Sequence, residues 1–526
     1  MPAQTDEAVK TSGEKKPAPR DGRRGRKARR AQRAEGHAAA PAFITRRIPY
    51  YELLSEEGLQ KIDDTADTIL QEIGIEILGD PTALDLWRAA GADIQGERIR
   101  FPRGLVRRII QATAPRSFVQ HARNPARSVT IGGDSIVFVP AHGPPFVSDL
   151  EGGRRYGSLE DFRNPIKLAY ASPWIHHSGG TICEPVDVPV NKRHLDMVYS
   201  HIRYSDKAFL GSITTTERAL DSIELARIAF GQEFTDENCV IMGNVNVNSP
   251  LVYDGMVTEV IRAYAAANQG CVISPFILGG AMGPVTSAGA IAQAHAEAMV
   301  DVALTQLVRP GAPVIYGNFL SSMSLRSGAP TFGMPEPAVA YLAVGQLARR
   351  LGVPLRCGGS LTSSKVADAQ ATQESADSLT PALLSGANFI LQAAGWLEGG
   401  LVMGYEKFVM DADHLGMMHS FMKGLPLDDN ALALDAFREV GPGKHFFGCA
   451  HTMANYETAF FDSELADSSS YEQWRDNGKQ DAVKRAHSRW TATLKSYEAP
   501  PLDQALDEEL QAFIRNKKDA VEDAWY

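Results

Sequence analysis

The sequence predicts a TIM (β/α)8 barrel with a helical N-terminal layer and a C-terminal helical extension, on two observations. From about residue 165, short apolar segments that end in Gly or polar residues alternate with long helical patterns rich in Ala and Leu. Roughly eight such strand–helix units follow one another over about 280 residues, which is the size and rhythm of one barrel. A doubly wound open sheet is the alternative. No G-x-G-x-x-G motif between a strand and a helix, with an acidic residue following, supports the commonest cofactor role of such a sheet.

The chain begins with a basic arm, residues 1–42. Residues 1–47 hold thirteen Lys or Arg and five Asp or Glu, a net charge of +8, and the run RDGRRGRKARR lies at residues 20–30. The arm has no apolar face and is rich in Pro, Ala and Gly, so we expect it to be disordered. No apolar segment follows the charges, which argues against a secretory signal.

The remainder of the chain has the composition of an acidic, cytoplasmic protein. The formal charge is 53 − 63 = −10, so the residues after the arm carry −18, and we expect no nucleic-acid partner. Five scattered cysteines without a C-x-x-C pair favour free thiols in a reducing compartment. Residues 263–296 are uncharged, but Gly and Pro residues interrupt them at 279–284, so we expect no membrane span.

The segments on either side of the predicted barrel are mainly helical. Residues 43–164 are predicted to form a helical N-terminal layer, with helices near 55–73, 81–90 and 101–114 and a small β element at 127–140. Residues 428–526 are helical and charged and contain an aromatic cluster between Phe446 and Phe461. This extension is expected to cap the barrel or to form an oligomer surface.

The barrel itself is assigned to residues 165–427. Its candidate strands are short apolar segments, and helical patterns of Ala and Leu lie between them. The strand candidates are residues 174–179, 208–212, 239–246, 272–278, 314–317, 355–357, 389–392 and one near Leu401. The helical patterns cover residues 218–231, 253–268, 287–308, 335–351 and 370–385.

The predicted carboxyl ends of these strands, where a TIM barrel places its chemistry, are small, polar and poor in carboxylates. A hydrolytic or phosphoryl-transfer site would normally need acids, bases or metal ligands there. Gly and amide groups instead offer backbone contacts and room for a large flat ligand. The stretches are HHSGGT (176–181), GSITT (211–215), GNVNVNSP (243–250), LGGAMGP (278–284), YGNFLSS (316–322) and CGGSLTSSK (357–365).

Aromatic residues lie near the same strand ends. They are Trp174, Phe276, Tyr316, Phe319 and Phe332. Aromatic faces attract a quaternary ammonium, with about 0.5–2 kcal/mol per contact. The alternative is that these rings are ordinary core side chains. The sequence therefore leaves both a cation-binding box and a plain core open.

The titratable residues of this region form no recognisable catalytic or metal motif. His176, His177 and Cys183 are close in sequence but match neither H-E-x-x-H nor a Cys/His zinc spacing. Adjacent histidines on a strand point to opposite faces, so no metal site is predicted. Glu297 lies in a predicted helix of apolar residues, where a carboxylate can be exposed, paired or directed at the barrel mouth. The residues alone support a TIM-barrel enzyme of undefined chemistry.

Four stretches of the chain resemble the trimethylamine methyltransferase family, in its branch without pyrrolysine. They are VPAHGPPFVSDLEGGRRYGSLEDF at residues 139–162, PGAPVIYGNF at 310–319, GGSLTSSKVADAQATQES at 358–375, and GPGKHFFGCAHTM at 441–453 followed by SYEQW at 470–474. The resemblance implies a TIM barrel, a homo-oligomer and a corrinoid as methyl acceptor. No corrinoid-binding D-x-H-x-x-G motif occurs in the chain, which implies a separate corrinoid protein as partner.

The resemblance also suggests a methyl donor. Members with pyrrolysine carry it in the loop matching residues 358–360, where this chain has only Gly and Ser. Relatives without pyrrolysine act on quaternary amines such as glycine betaine, so the implied donor is a small quaternary or tertiary amine. A zinc-dependent methyltransferase for another donor and a non-catalytic betaine- or corrinoid-binding paralogue remain the alternatives.

On this resemblance we assign roles to individual residues as hypotheses. Four candidates are polar contacts to the substrate, three are aromatic walls and four are glycines where a corrinoid approaches. Arg326 is a further candidate to pair with a betaine carboxylate, although a surface salt bridge explains it as well. The polar candidates are Asn244, Asn246, Tyr316 and Gln370, the walls are Phe276, Phe319 and Phe332, and the glycines are Gly279, Gly280, Gly358 and Gly359.

Overall fold

A computed structural model describes residues 41–525 of the chain. Those residues form a mixed α/β structure with a curled, mostly parallel sheet at the centre. The disorder predicted for the arm concerns residues that lie outside the described ones, apart from the last two. In chain order the strands are β1 (Ile44–Thr45), β2 (Ile75–Leu78), β3 (Asp93–Gln95), β4 (Arg98–Arg100), β5 (Ser117–Gln120), β6 (Val129–Gly132), β7 (Ser135–Phe138), β8 (Phe146–Asp149), β9 (Gly153–Tyr156), β10 (Phe209–Leu210), β11 (Ile241–Val245), β12 (Val252–Asp254), β13 (Gly270–Ile273), β14 (Phe276–Leu278), β15 (Val314–Gly317), β16 (Phe319–Met323), β17 (Pro330–Thr331), β18 (Leu355–Gly358), β19 (Phe389–Leu391), β20 (Trp396–Leu397) and β21 (Val402–Gly404).

Helices surround the central sheet. Many begin at a Ser, Thr or Asp whose side chain accepts a hydrogen bond from the first turn, as Ser55, Asp80 and Asp368 do. The α-helices are α1 (Glu56–Thr68), α2 (Pro81–Ala89), α3 (Leu105–Thr113), α4 (Leu159–Ala171), α5 (Arg193–Tyr204), α6 (Thr216–Phe230), α7 (Gln232–Glu237), α8 (Gly255–Ala266), α9 (Ser287–Val308), α10 (Pro335–Leu351), α11 (Ala369–Ser385), α12 (Tyr405–Met422), α13 (Asp429–Leu432), α14 (Leu434–Val440), α15 (Ala450–Asn455), α16 (Tyr471–Asp476), α17 (Ala482–Lys495) and α18 (Gln504–Asp519).

The central sheet has the strand order β1-β7-β19-β18-β15-β13-β11-β10. Every neighbouring pair is parallel except β1 and β7. The parallel strands are buried on both faces, which explains why they read as continuous apolar runs. On the inner face, Val137, Met242, Val272, Ile315 and Phe389 belong to one apolar cluster. This cluster is the floor on which the site described below rests.

Residues 175–179 lie between the two ends of this curled sheet. The backbone N–H of His176 donates to the carbonyl oxygen of Phe138 in β7, at 3.1 Å. On the other side, Ser178 donates to the carbonyl of Ala208 and Leu210 of β10 donates to the carbonyl of Gly179, both at 2.8 Å. The segment predicted as a strand at 174–179 therefore makes backbone hydrogen bonds to both ends of the sheet.

Most predicted strands of the central sheet are present, but the sheet also includes a strand that was predicted to lie in the N-terminal layer, and one predicted strand is interrupted. The pattern at 127–140 contains two strands, β6 and β7, because Gly132 and Gly133 take positive φ values of 118° and 56° and turn the chain. Strand β7 then joins the central sheet. The pattern at 272–278 is also interrupted, because Pro275 has no N–H to donate, and β14 pairs with β16 outside the central sheet.

The strand predicted near Leu401 exists as β21, but its assignment to the barrel was wrong. Strand β21 pairs with β8 and β20 in a separate four-stranded sheet. The physical reason is the sharp turn after β20, where Gly399 and Gly400 take positive φ values of 63° and 98° and fold the chain back. The central sheet is instead completed by β7 from the N-terminal part of the chain.

A buried carboxylate joins the N-terminal helices to the helices around the sheet. Asp63 of α1 accepts a hydrogen bond from His295 of α9 at 2.9 Å and pairs with Arg107 of α3 and Arg350 of α10 at 3.1 and 2.9 Å. Burial alone would raise the pKa of Asp63, but the hydrogen bond from His295 and the two arginine charges lower it below its usual value. Four helices therefore meet at one ionised carboxylate.

The C-terminal residues pack partly on the body and partly face solvent. Helix α17 packs on α12 and α4, and Asp413 accepts hydrogen bonds from Ser463 and Glu464 at 2.5 and 2.9 Å. Several large apolar side chains between α12 and α16 are nevertheless exposed, among them Leu425 at 83%, Phe447 at 84% and Phe460 at 88%. Monomeric proteins rarely expose so much apolar surface in one segment.

Across residues 41–525, none of the helices combines the length and the apolar character needed to cross a bilayer.

Asp63→Ala is expected to lower the free energy of unfolding by about 3 kcal/mol, because it removes the buried carboxylate that His295, Arg107 and Arg350 share, although Arg107 keeps Asp67 and Arg350 keeps Glu56 as partners. Urea unfolding measures this. The matched control is the neighbouring Asp64→Ala, since Asp64 is half exposed and contacts the surface residues Arg103 and Gln60; it should cost no more than about 1 kcal/mol. Because the folded pKa of Asp63 is lowered, its contribution is present above the unfolded pKa and is lost as pH falls through the folded one. Equal losses in the two variants would contradict the role given to Asp63.

Candidate active site

A polar layer lies above the apolar floor, at the carboxyl ends of the central strands. Side chains two residues apart on a strand share a face, so Asn244 follows Met242 and Ser274 follows Val272 into the interior of the curl. Ser274 Oγ donates to Asn244 Oδ1 at 3.3 Å, and both residues are buried. The predicted substrate contact Asn244 is thus inside the curl, whereas Asn246 is exposed on the loop after β11.

A charged member of this layer is Arg356 on β18, and its side chain is fully buried. Its Nη1 donates to the carbonyl oxygen of Asn318 at 2.9 Å, and its Nη2 donates to Gln392 Oε1 at 2.7 Å. The guanidinium also lies 4.8 Å from the ring centroid of Phe319, and its Nε has no partner among the described residues. Both hydrogen-bond acceptors are neutral.

A buried cation with only neutral acceptors is unusual because burial disfavours the charged form. Burial lowers the pKa of Arg356 to about 10, and no carboxylate is among the groups that oppose this effect. The arginine therefore remains protonated at neutral pH. Such a charge attracts anions, and the planar guanidinium has a geometry that suits a carboxylate.

A cluster of four aromatic rings begins beside this arginine, at Phe319. The predicted walls Phe276 and Phe319 are opposite each other in the β14–β16 pair, with ring centroids 5.2 Å apart. Phe332 lies 6.2 Å from Phe319, and Trp396 lies 4.6 Å from Phe332 and 6.3 Å from Phe319. Phe276 and Phe319 are half-buried, so part of each ring is accessible. The structure brings the three predicted rings together and adds Trp396, which sequence reasoning missed.

Tyr316 and Gln370 are not brought into this group. Tyr316 is fully buried on the outer face of β15, and its hydroxyl bonds to His295 Nδ1 of α9 at 2.9 Å. Gln370 is exposed at the start of α11 and donates to Glu374 Oε1 at 2.8 Å. Glu374 in turn accepts from Thr362 Oγ1 at 2.6 Å, so Gln370 belongs to the rim of the site.

The four predicted glycines fall into two pairs. Gly279 is half-buried and Gly280 is exposed with φ 90°, on the loop between β14 and α9. Gly358 and Gly359 are buried instead: a Cβ at Gly358 would lie 2.6 Å from Leu361, and one at Gly359 would lie 2.6 Å from the backbone of Ala393. The first pair faces the open mouth, whereas the second pair allows close packing of neighbouring chain segments.

The remaining charged and metal-binding candidates have separate roles. Arg326 is exposed on the turn between β16 and β17, away from any carboxylate pairing in the described residues. Glu297 is buried and paired: it accepts from Ser249 Oγ at 2.5 Å and from Leu251 N at 2.9 Å, which fixes the loop after β11. His176 and His177 point to opposite faces, as expected. Over residues 41–525 there is no cluster of three or more His, Cys, Asp or Glu arranged to hold a metal ion.

The chain matches known methyltransferases over most of its length. A family model described as "Trimethylamine methyltransferase (MTTB)" matches residues 22–522. The chain is 42% identical over 471 residues to the glycine betaine methyltransferase of Desulfitobacterium hafniense (strain Y51), covering 89% of this chain and 98% of that protein. It is 26% identical over 479 residues to the trimethylamine methyltransferase MttB of D. hafniense (strain DSM 10664 / DCB-2), covering 88% and 94%. A solved structure of a hydroxylamine complex of MtmB superposes with a TM-score of 0.48 and 11% identity over 86% of this chain and 90% of that one.

Arg356→Met is expected to change the free energy of unfolding by no more than about 2 kcal/mol, because it removes a buried cation that has no anionic partner. Lys407→Met is the contrasting variant. Lys407 is equally buried but contacts both carboxylate oxygens of buried Asp411 at 2.6 Å. Its removal leaves the Asp411 carboxylate buried without a cation and should lower the free energy of unfolding by about 3–5 kcal/mol. Urea unfolding of both variants makes the comparison. A loss for Arg356→Met as large as that for Lys407→Met would show that the hydrogen bonds of Arg356 to Asn318 and Gln392 stabilise the fold, and would contradict the role given to its charge.

Proposed function

Because this chain belongs to the trimethylamine methyltransferase family, we propose that it moves a methyl group from a carboxylated quaternary amine to a corrinoid on a separate protein. The donor class we propose is glycine betaine or a related betaine. The 42% identity to a protein named glycine betaine methyltransferase supports this assignment. The observation that carries it is the buried guanidinium of Arg356 beside an aromatic cluster.

The two halves of the site match the two charges of a betaine. The carboxylate would pair with Arg356, which holds free donor capacity at Nε. The quaternary ammonium would lie against the accessible faces of Phe276 and Phe319, with Phe332 and Trp396 behind them. Trimethylamine has no carboxylate and would leave the arginine charge unpaired. The arginine therefore selects among donors.

The transfer needs no proton. The C–N bond of the methyl group breaks and its electron pair stays on nitrogen, which leaves as a neutral tertiary amine. The Co(I) centre supplies the electron pair of the new cobalt–carbon bond. The positive charge on nitrogen thus decreases toward the transition state, and the aromatic contacts weaken with it. The carboxylate contact persists throughout, so anchoring at Arg356 binds the donor without stabilising the reactant cation excessively.

The second substrate, the corrinoid, would approach from the open side of the curl. Gly279 and Gly280 lie on the exposed loop there, and Asn246 and Gln370 lie on the rim. The absence of a D-x-H-x-x-G motif from the sequence supports a separate corrinoid protein. Gly358 and Gly359 would act indirectly, by allowing the loop after β18 to pack closely against Ala393.

We also propose that the central sheet is a closed TIM barrel. The backbone hydrogen bonds of residues 175–179 to Phe138 on one side and to Ala208 and Leu210 on the other support this segment as the eighth strand.

The exposed apolar side chains between α12 and α16 support a homo-oligomer. Buried free cysteines fit a reducing, cytoplasmic location.

The proposal is tested by an anaerobic assay of the purified protein with cob(I)alamin, following methylcobalamin by absorbance. Glycine betaine or a related betaine is expected to give methylcobalamin, whereas choline and trimethylamine should give little, because neither carries a carboxylate for Arg356. Repeating the panel with the corrinoid protein as acceptor controls for poor recognition of the free corrinoid. Transfer from trimethylamine alone would contradict the proposal.

Arg356→Met should lower kcat/KM for the betaine by about 100-fold, equivalent to about 2.7 kcal/mol, because the carboxylate loses its charged partner. Arg326→Met is the matched control: the same change at an exposed arginine should leave the rate unchanged. The measurement is the initial rate of methyl transfer with varied donor. If the two variants behaved in the opposite way, Arg326 would take the role assigned to Arg356.

A further inference from the structure

Two loops at the mouth contact the same buried part of helix α9. The first, residues 246–251, follows β11, and the second, residues 279–286, follows β14 and leads into α9. Gln293 and Glu297 lie on one side of α9, because residues four apart in a helix are about one turn apart. Glu297 is 0% exposed and Gln293 is 6% exposed, so their polar groups need partners inside the protein.

Glu297 holds the first loop. Its two carboxylate oxygens accept hydrogen bonds from Ser249 Oγ and from the backbone N–H of Leu251. Leu251 takes a positive φ of 57°, a conformation that residues other than glycine rarely adopt. The hydrogen bond to Glu297 therefore helps to keep this part of the loop in a shape that the chain would not otherwise favour.

Gln293 joins Glu297 to the second loop. Its Nε2 donates to Glu297 Oε1 and to the carbonyl oxygen of Met282, both at 2.9 Å, so the two hydrogens of the amide are used. A Cβ at Gly283 would lie 3.0 Å from Gln293 Oε1, so the loop approaches the glutamine closely at a residue without a side chain. The hydrogen bonds thus run from the first loop through Glu297 and Gln293 to the second. We call Gln293 and Glu297 the clamp.

The clamp lies in a part of α9 that is otherwise mainly apolar. Residues 290–298 are Ala at every second position, with Ile291 and His295 between them, and His295 is directed at Asp63 of the N-terminal layer. Apolar packing is not directional, whereas hydrogen bonds to a carboxylate have a defined geometry and are stronger than those between neutral groups. The clamp therefore fixes the position of one mouth loop relative to the other.

Gln306 is a matched residue on the same helix, at the other end of the strands. It is 2% exposed, its Nε2 donates to the carbonyl of Ala312 at 3.0 Å, and its Oε1 accepts from Gly311 N at 2.9 Å. Residues 309–313 lead into the amino end of β15, whereas the mouth is at the carboxyl ends of the strands. Gln306 thus holds one loop by the same kind of contact, but away from the mouth.

We propose that Gln293 and Glu297 are positioning residues for methyl transfer, which hold the two mouth loops in one arrangement and so keep Gly279 and Gly280 in place for the corrinoid. This inference rests on the proposed function, because the approach of the corrinoid to the second loop is part of it. Both residues act through the loops. Loops that moved independently would have to be ordered at each encounter, and that cost would raise KM for the methyl acceptor.

Amide hydrogen exchange of the full chain, followed by mass spectrometry without donor or corrinoid, tests whether the clamp couples the loops. Gln293→Met keeps the length of the side chain but removes both donors, and exchange in residues 246–251 and 279–286 should become about tenfold faster. Ser249→Ala cuts a contact to the first loop alone, yet exchange in the second loop should also become about threefold faster. Faster exchange confined to the loop whose contact was changed would overturn the coupling.

The kinetic test is the initial rate of transfer from glycine betaine to cob(I)alamin, with each substrate varied in turn. Gln293→Met should raise KM for cob(I)alamin about tenfold and leave KM for the betaine within about twofold, because the donor contacts are on other elements. Gln306→Met is the matched control. It should lower the free energy of unfolding to a similar extent as Gln293→Met, while both KM values and the exchange of the mouth loops stay as in the wild type.

The outcomes separate this inference from the proposed function. A wild type that transfers no methyl group would overturn the proposed function and the kinetic role of the clamp together, while the exchange data would still decide the coupling of the loops. Transfer by the wild type with unchanged KM for cob(I)alamin in Gln293→Met, or with an equal change in Gln306→Met, would overturn the role of the clamp alone. If Gln293→Met does not fold, Ser249→Ala and Glu297→Gln decide by the same two measurements.

Discussion

The structure around the candidate site depends on one constraint, a positive charge held inside the sheet without a negative one. Arg356 has a backbone carbonyl and a glutamine oxygen as acceptors and an aromatic face at 4.8 Å. Each of these partners is a dipole or a quadrupole, and none is an ion. They reduce the cost of burying the guanidinium without cancelling its charge. The positive field that remains acts on neighbouring groups: after burial, it is the next cause that lowers the pKa of His142 to about 4.

The roles of the layers around Arg356 follow from this buried positive charge. An apolar floor of residues such as Met242 and Val272 excludes water below the arginine, which strengthens its field. The two accessible rings of the aromatic cluster, Phe276 and Phe319, lie outside the central sheet on the β14–β16 pair, so they can contact a cation beside the guanidinium. A small zwitterion satisfies both regions at once. An amine without a carboxylate would leave the arginine without an anion.

The sequence predicted the strand–helix alternation because parallel strands buried on both faces read as short apolar runs. The same continuous apolar runs concealed which face of a strand each side chain occupies. An uninterrupted run masks the phase of a strand, so Tyr316 was assigned to the site although it faces α9 and its neighbour Ile315 faces inward. The turn at Gly132 and Gly133 was missed for a different reason, because apolar residues alternate with other residues on both sides of it. Arg356 was missed although it was visible, as a charged residue between Leu355 and Cys357 in an apolar strand. Only the structure shows which groups contact that arginine.

Helix α9 is buried along nearly its whole length, from Ala290 to Gln306, and different partners contact its different sides. His295 reaches Asp63 of the N-terminal layer, while Glu297, two residues later, holds the loop beside the mouth. Each residue inserted into a helix rotates everything after it by about 100°. A single insertion between these two positions would therefore misalign the mouth loop against the N-terminal layer. The exposed turn that carries Arg326 can therefore accept insertions, whereas α9 must keep a fixed length between His295 and Glu297.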